Sequence, residues 1–262
     1  MQPSFWDRLS TNPVFTDQLF TLQLDREQVE RFYLPVAGRL EQLPPTSLRR
    51  MIAIAGPPGS GKSSFAAILT AVINARAGAE IAVAVGQDGW HYSNAYLDSH
   101  TTEFEGRLVA LRSIKGRPET FDMAGFAHAL NLMRTEPEVR FPIYSRLTHE
   151  PAADAGWVHA THRMVLVEGN YLLLDSLPWA ALHKIFDYTI FLALDRAQLI
   201  LGLRERHARG GKDPGAIHRQ LERVDLPDID LVLKHSVPAD LRVLKSTSLT
   251  IERLIFGQDQ VQ

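Results

Sequence analysis

Residues 56–63 read GPPGSGKS, and each residue type at this spacing has a task in gripping a polyphosphate. Gly56, Gly59 and Gly61 permit backbone shapes and close approach that a side chain would block. With Pro57, Pro58, Ser60 and Ser64 they make a loop whose available N–H groups turn inward on anionic oxygens. The helix that follows adds its positive end. Lys62 is placed to reach the β- and γ-phosphates of a nucleotide, and the Ser63 hydroxyl to ligate magnesium. Such a pattern arises by chance in roughly one chain in a hundred of this length. Here it lies between the apolar run Met51–Ala55 and an amphipathic stretch carrying Phe65, Ile68, Leu69, Val72 and Ile73, the setting that this chemistry requires.

Three further groups narrow the chemistry. Asp88 follows a second apolar run, Ile81–Val85, where a carboxylate could accept the proton of a hydroxyl as a phosphoryl group arrives. Asp88-Gly89 equally suits a plain turn. Glu168 closes the run MVLVE, and an acid at such a strand end can hold magnesium, usually through water. Arg204, Arg206, His207, Arg209 and Lys212 crowd a glycine-containing stretch, as expected of a mobile cationic lid at about 204–215. The same cations would also suit a helix C-terminus.

Around the expected strand ends fall Trp90, His91, Tyr144, Arg146 and Tyr171, with Tyr92 and His149 nearby. Aromatic faces with a few polar groups suit a base or sugar ring, and Arg146 suits a carboxylate or phosphate already on the acceptor. Packing beneath a pocket would use the same aromatics. Asp122 reads as a helix cap as readily as a functional acid. The chain has no cysteine, and its histidines lack metal-ligand spacing, so thiolate chemistry and zinc are not expected.

The elements that must position these residues alternate. Apolar runs at Met51–Ala55, Ile81–Val85, Met164–Glu168 and Thr189–Leu194 read as buried strands, with a further one at 241–244. Helical patterns cover Asp122–Arg134 and Asp195–Arg209. This order implies an α/β chain with a parallel sheet covered by helices on both faces. Residues 1–50 read as an N-terminal helical extension, and 51–262 as the main domain. In the extension, Asp25 caps a helix with Gln28 three residues on, Pro35 should kink or divide it, and Pro44-Pro45 end it.

The 262 residues carry 28 basic and 30 acidic side chains, a net charge of −2, and are 45% hydrophobic. Near-neutral charge disfavours a nucleic-acid or anionic-membrane binder. No apolar run reaches the roughly 20 residues needed to span a bilayer. The first residues lack the pattern of a signal peptide. A cytoplasmic protein is expected, with homodimerisation left open. The absence of an N-K-x-D string disfavours a guanine-reading switch.

At this point the sequence resembles the P-loop kinases that include pantothenate kinase, uridine kinase and phosphoribulokinase. It is most similar to their bacterial nucleoside/nucleotide kinase-like, or fructose transport system kinase-like, branch. The stretches that carry the resemblance are GPPGSGKS, DGWHYSNAYLD at 88–98, KGRPETFDM at 115–123, PIYSRLTHEP at 142–151, VEGNYLLLD at 167–175 and RERHARGG at 204–211. The resemblance implies the P-loop NTPase fold with a small lid, and use of ATP and Mg2+. By its motifs Lys62 and Ser63 match the phosphate and magnesium residues, Asp88 the catalytic base, and Glu168 the acid near magnesium. Arg204 and Arg206 match the lid arginines; Tyr144 and Arg146 match the acceptor pocket. Pantothenate kinases usually carry histidine where this chain has Arg146, and residues 99–115 are longer than in close relatives. The implied activity moves the γ-phosphate to a hydroxyl of a small metabolite, such as a nucleoside, sugar or pantothenate-like molecule. The alternative is a nucleotide-dependent regulator of a sugar-transport system with little transfer activity.

Overall fold

A computed structural model describes residues 3–16, 22–104 and 106–257. Residues 1–2 and 17–21 of the expected extension, and residue 105 of the expected insertion, lie outside it. Ten strands are described: β1 Arg50–Ala55, β2 Ala82–Gly86, β3 Thr101–Phe104, β4 Arg107–Ala110, β5 Val139–Ser145, β6 Glu150–Val158, β7 Met164–Gly169, β8 Tyr188–Leu194, β9 Leu241–Lys245 and β10 Ile251–Phe256. Six of them form one sheet in the order β10-β9-β8-β1-β7-β2. Its pairs are parallel except β9 with β10. The turn 246–250 between those two is too short for a crossover, so the added edge strand runs antiparallel.

The alternation of a pleated strand divides the apolar residues between two layers. Ile52, Ile54, Leu166, Ile190, Leu192, Leu241 and Val243 face one cluster, which the helix Lys62–Ala77 covers through Phe65, Leu69, Val72 and Ile73. Met51, Ala53, Val165, Val167 and Phe191 face the other, covered by Phe126, Leu130 and Met133 of the helix Met123–Thr135 and by Trp179 and Leu182. Leu9, Val29, Phe32, Val36 and Leu40, from before β1, join the first cluster rather than forming a separate core.

Asp25 caps as expected, its side chain accepting from Gln28 N. Pro35 divides the helix without ending it. Val29–Tyr33 is a π-turn, in which Leu34 N–H donates to Val29 O, and α-helix resumes over Leu34–Glu41. Widening the turn just ahead of proline relieves the clash between its ring and the carbonyl four residues back. The same device recurs at Leu221–Asp225, where Leu226 N–H donates to Leu221 O before Pro227. Two antiparallel hairpins, β3–β4 and β5–β6, were not expected from the sequence. The first occupies the long stretch 99–115, and the second carries Tyr144 and Arg146 on and beside its turn.

Candidate functional site

The phosphate loop leaves β1, the strand between β8 and β7 in the sheet. Gly59 and Gly61 hold φ of 84° and 81°, a left-handed backbone that favours glycine. A Cβ on Gly61 would lie 1.9 Å from Ser248 O, so space as well as conformation demands glycine there. Gly61 offers no side-chain cap to the helix Lys62–Ala77, which leaves that helix's first N–H groups free for a ligand. The buried Ser60 Oγ has no hydrogen-bond partner. Lys62 Nζ donates to Pro57 O at 2.9 Å and is only 7% exposed. Burial lowers its pKa to about 8, against the opposite pull of Glu168 and Asp88. A buried ammonium, open N–H groups and an orphan hydroxyl on one loop fit a polyphosphate.

Glu168 stands opposite Ile54 in the register of β7 with β1, and opposite Gly86 of β2. That register brings its carboxylate over the loop, where Ser63 Oγ donates to Glu168 Oε1 at 2.9 Å. Burial raises the Glu168 pKa, and the charge of Asp88 raises it further. Hydroxyl and carboxylate thus form a two-oxygen edge of the sort that shares magnesium with phosphate oxygens. Among the described residues no cluster of three or more acidic or histidine side chains could hold a metal unaided.

Asp88 sits on the 3-10 turn Gln87–Trp90 that follows β2. The turn sends Gln87, Gly89 and Trp90 inward and leaves the Asp88 side chain 57% exposed. Gly89 is required by contact, since a Cβ would stand 2.1 Å from Pro142 O of β5. His91 Nδ1 lies 2.9 Å from Asp88 O, and its ring packs on Phe121 and, at 5.2 Å, on Tyr144. Burial lowers the His91 pKa. Lys115 completes this group, its ammonium 5.3 Å from the Tyr144 ring and donating to Asn94 Oδ1 and His149 O. Burial lowers the Lys115 pKa, while the charges of Glu150 and Asp88 oppose the shift.

Asp88, His91, Tyr144, Glu168, Lys62 and Ser63 therefore gather at the carboxyl ends of β1, β2 and β7, where ligands bind in open α/β sheets. Arg146 is exposed at the rim, close enough for its charge to lower the Glu168 pKa. Trp90 and Tyr171 lie elsewhere than a pocket wall. Trp90 is 6% exposed and packs on Phe126 and Phe141 in the core. Tyr171 is fully buried, and its hydroxyl donates to Gly116 O at 2.6 Å. It anchors the loop that presents Lys115, a residue that periodicity alone gave no reason to single out.

The two arginines expected in a lid separate. They are two residues apart on the helix Arg196–Arg209, roughly 200° around its axis. The Arg206 charge lowers the Lys62 pKa, whereas Arg204 lines a groove of about 460 Å³ with Ala208, Ile217 and Leu221. His207 Nε2 meets Asp225 Oδ2 at 2.7 Å and ties this helix to the turn Leu221–Asp225. Asp122 is a cap, accepting from Gly125 N at 2.9 Å.

Comparison with known proteins gives the chain's family and fold. The phosphoribulokinase/uridine kinase family matches residues 51–241. YggC of Escherichia coli (strain K12) is 31% identical over 84% of this chain and 89% of that protein. A Schizosaccharomyces pombe (strain 972) protein provisionally named a uridine kinase is 32% identical over 87% of this chain and 99% of its own. A crystal structure from Silicibacter sp. TM1040, provisionally named a fructose transport system kinase, superimposes with a TM-score of 0.69. It is 32% identical and covers 80% of this chain and 98% of that one. The chain belongs to the phosphoribulokinase/uridine kinase family and has the α/β P-loop NTPase fold. It is a small-molecule kinase. No helix among the described residues is long and apolar enough to cross a membrane.

Proposed function

We propose that the protein is an ATP- and Mg2+-dependent cytoplasmic kinase that phosphorylates a hydroxyl of a small metabolite. The observation that carries this reading is the grouping of Lys62, Ser63, Glu168 and Asp88 at adjacent strand ends. Residues 51–262 form the kinase unit, with the N-terminal helices as support for its first apolar layer. ATP with magnesium supplies the phosphoryl group and the positive charge that eases its transfer. Residues 56–64 hold its phosphates, Lys62 neutralises their charge, and Ser63 with Glu168 faces the metal. Asp88 receives the acceptor's hydroxyl proton as the new P–O bond forms and the bond to the leaving diphosphate breaks.

On the acceptor side, His91 and Tyr144 floor the opening, while Lys115 and Arg146 set its charge. Trp90 and Tyr171 act from beneath, by holding the Asp88 turn and the Lys115 loop. A panel of nucleosides, sugars, sugar phosphates and hydroxy acids, assayed for acceptor-dependent ADP release, tests the reading. Stimulation by one acceptor, with a phosphomonoester as product, is the expected result. A flat response across the panel in a protein that binds ATP would sink it.

A further inference from the structure

Lys245 ends β9 and is 5% exposed, yet both of its hydrogen-bond acceptors are neutral. Its ammonium donates to Ser60 O in the phosphate loop at 2.9 Å and to Ser248 O in the turn 246–250 at 2.6 Å. No carboxylate pairs with it among the described residues. An unpaired charge is costly to bury, and here it lies within reach of the Lys62 charge. Burial lowers its pKa to about 7, and the Lys62 charge adds to that effect.

The turn it holds is built to stay put. Thr247 Oγ1 accepts from both Leu249 N and Thr250 N, and Ser246 N–H donates to Thr250 O. Ser248 O then fills the space beside Gly61 that a Cβ would need. Two carbonyls, one from each segment, thus share one ammonium. A peptide carbonyl drawn outward onto Lys245 orients its peptide plane, so the N–H on the other side of that plane turns toward the loop interior. For Ser60 O that N–H belongs to Gly61.

We propose that Lys245 is a positioning residue that clamps the phosphate loop to the turn 246–250 and so presets the loop's N–H groups for nucleotide phosphates. The proposal rests on the reading that residues 56–63 hold a polyphosphate. It makes the turn part of the phosphate site although the turn follows the last parallel strand. Because the clamp works through the backbone, it acts on any polyphosphate, whether or not a base is attached.

Hydrogen exchange of the full-length protein with inorganic tripolyphosphate tests this without altering the chain. The ligand should protect the amides of 59–65 and, through the lysine, those of 246–250. Protection of the loop alone overturns the clamp; protection of neither overturns the phosphate-site reading and the clamp with it. Lys245→Met gives the second arm. In a variant with an unchanged melting temperature, affinities for ATP and for tripolyphosphate should both fall about 10–100-fold. A folded variant that binds both within twofold of the parent refutes the proposal. If Lys245→Met does not fold, the exchange pattern of the parent protein decides.

Discussion

Ser63 Oγ donates to Glu168 Oε1 across 2.9 Å, joining the loop after β1 to the end of β7. On the proposed reading these two residues would hold the magnesium that accompanies the nucleotide, which would supply positive charge to the phosphates. Glu168→Gln keeps the shape but removes the charge. It should weaken magnesium-dependent activity by about 10–100-fold, an effect typical for residues that orient a metal or its waters. A magnesium titration of the initial rate checks it: the half-saturating concentration should rise while ATP affinity measured without metal stays level.

Asp88→Ala is expected to lower kcat by about 10²–10⁴-fold, with the ATP dissociation constant held within a few-fold. Single-turnover transfer to the true acceptor, alongside equilibrium binding of ATP, separates the two effects. Near-normal transfer would remove Asp88 as the base.

Free Lys62 has a pKa lowered to about 8, and bound phosphates should raise it. The ammonium form binds, so ATP affinity should fall as pH rises through about 8, and binding near that pH should take up roughly half a proton. Calorimetry in buffers of different ionisation enthalpy measures the uptake. A Lys62→Met variant should lose most of it; equal uptake in both proteins would contradict the assignment.

The Arg206 charge reaches Lys62 while Arg204 lines the groove with Ile217 and Leu221, so truncating each should have unequal effects. Arg206→Ala is expected to cut kcat/KM by about 100-fold, and Arg204→Ala by only a few-fold. Steady-state kinetics of the two variants side by side decides between them.

Gly89→Ala drives a methyl group into Pro142 O, at 2.1 Å from ideal geometry. Backbone cannot yield as a flexible side chain does, so the change should cost about 1–3 kcal/mol of stability. It should also displace Asp88. Denaturant midpoints and kcat, both lowered, would bear this out.

Much of this was legible beforehand because the signals are local. The phosphate loop needs particular residues at fixed spacing, β1, β7 and β8 are apolar runs buried on both faces, and β2 is an apolar run at the sheet edge. The hairpins β3–β4 and β5–β6 were not, since strands such as EPAADAGWV are half exposed and lack alternation. The division between pocket and core was also hidden. Trp90 and His91 are neighbours of similar type and similar burial, and only tertiary packing sets Trp90 against Phe126 and Phe141 of the core and His91 against Tyr144 of the hairpin. Lys115 and Lys245 gave no pattern, because each earns its place through carbonyl contacts with residues distant in sequence. Proline at 35 does divide the helix, and only the structure shows the form: a π-turn just ahead of it absorbs the clash that proline brings.

The second such turn, Leu221–Asp225, carries a geometric consequence. Ile217 ahead of it and Leu221 at its start pack with Leu199 and Leu203 of the helix Arg196–Arg209. Beyond it, Ile229 joins the same cluster, and Asp228 pairs with Arg117 at 3.2 Å. Removing one residue, such as Glu222, would restore ordinary winding but swing everything downstream by about 100°. The segment could then keep Ile217 and Leu221 in their seats, or Ile229 and Asp228 in theirs, not both. A single surplus residue therefore acts as a gear offset, keeping the contacts before the turn and those after it in phase along one continuous rod.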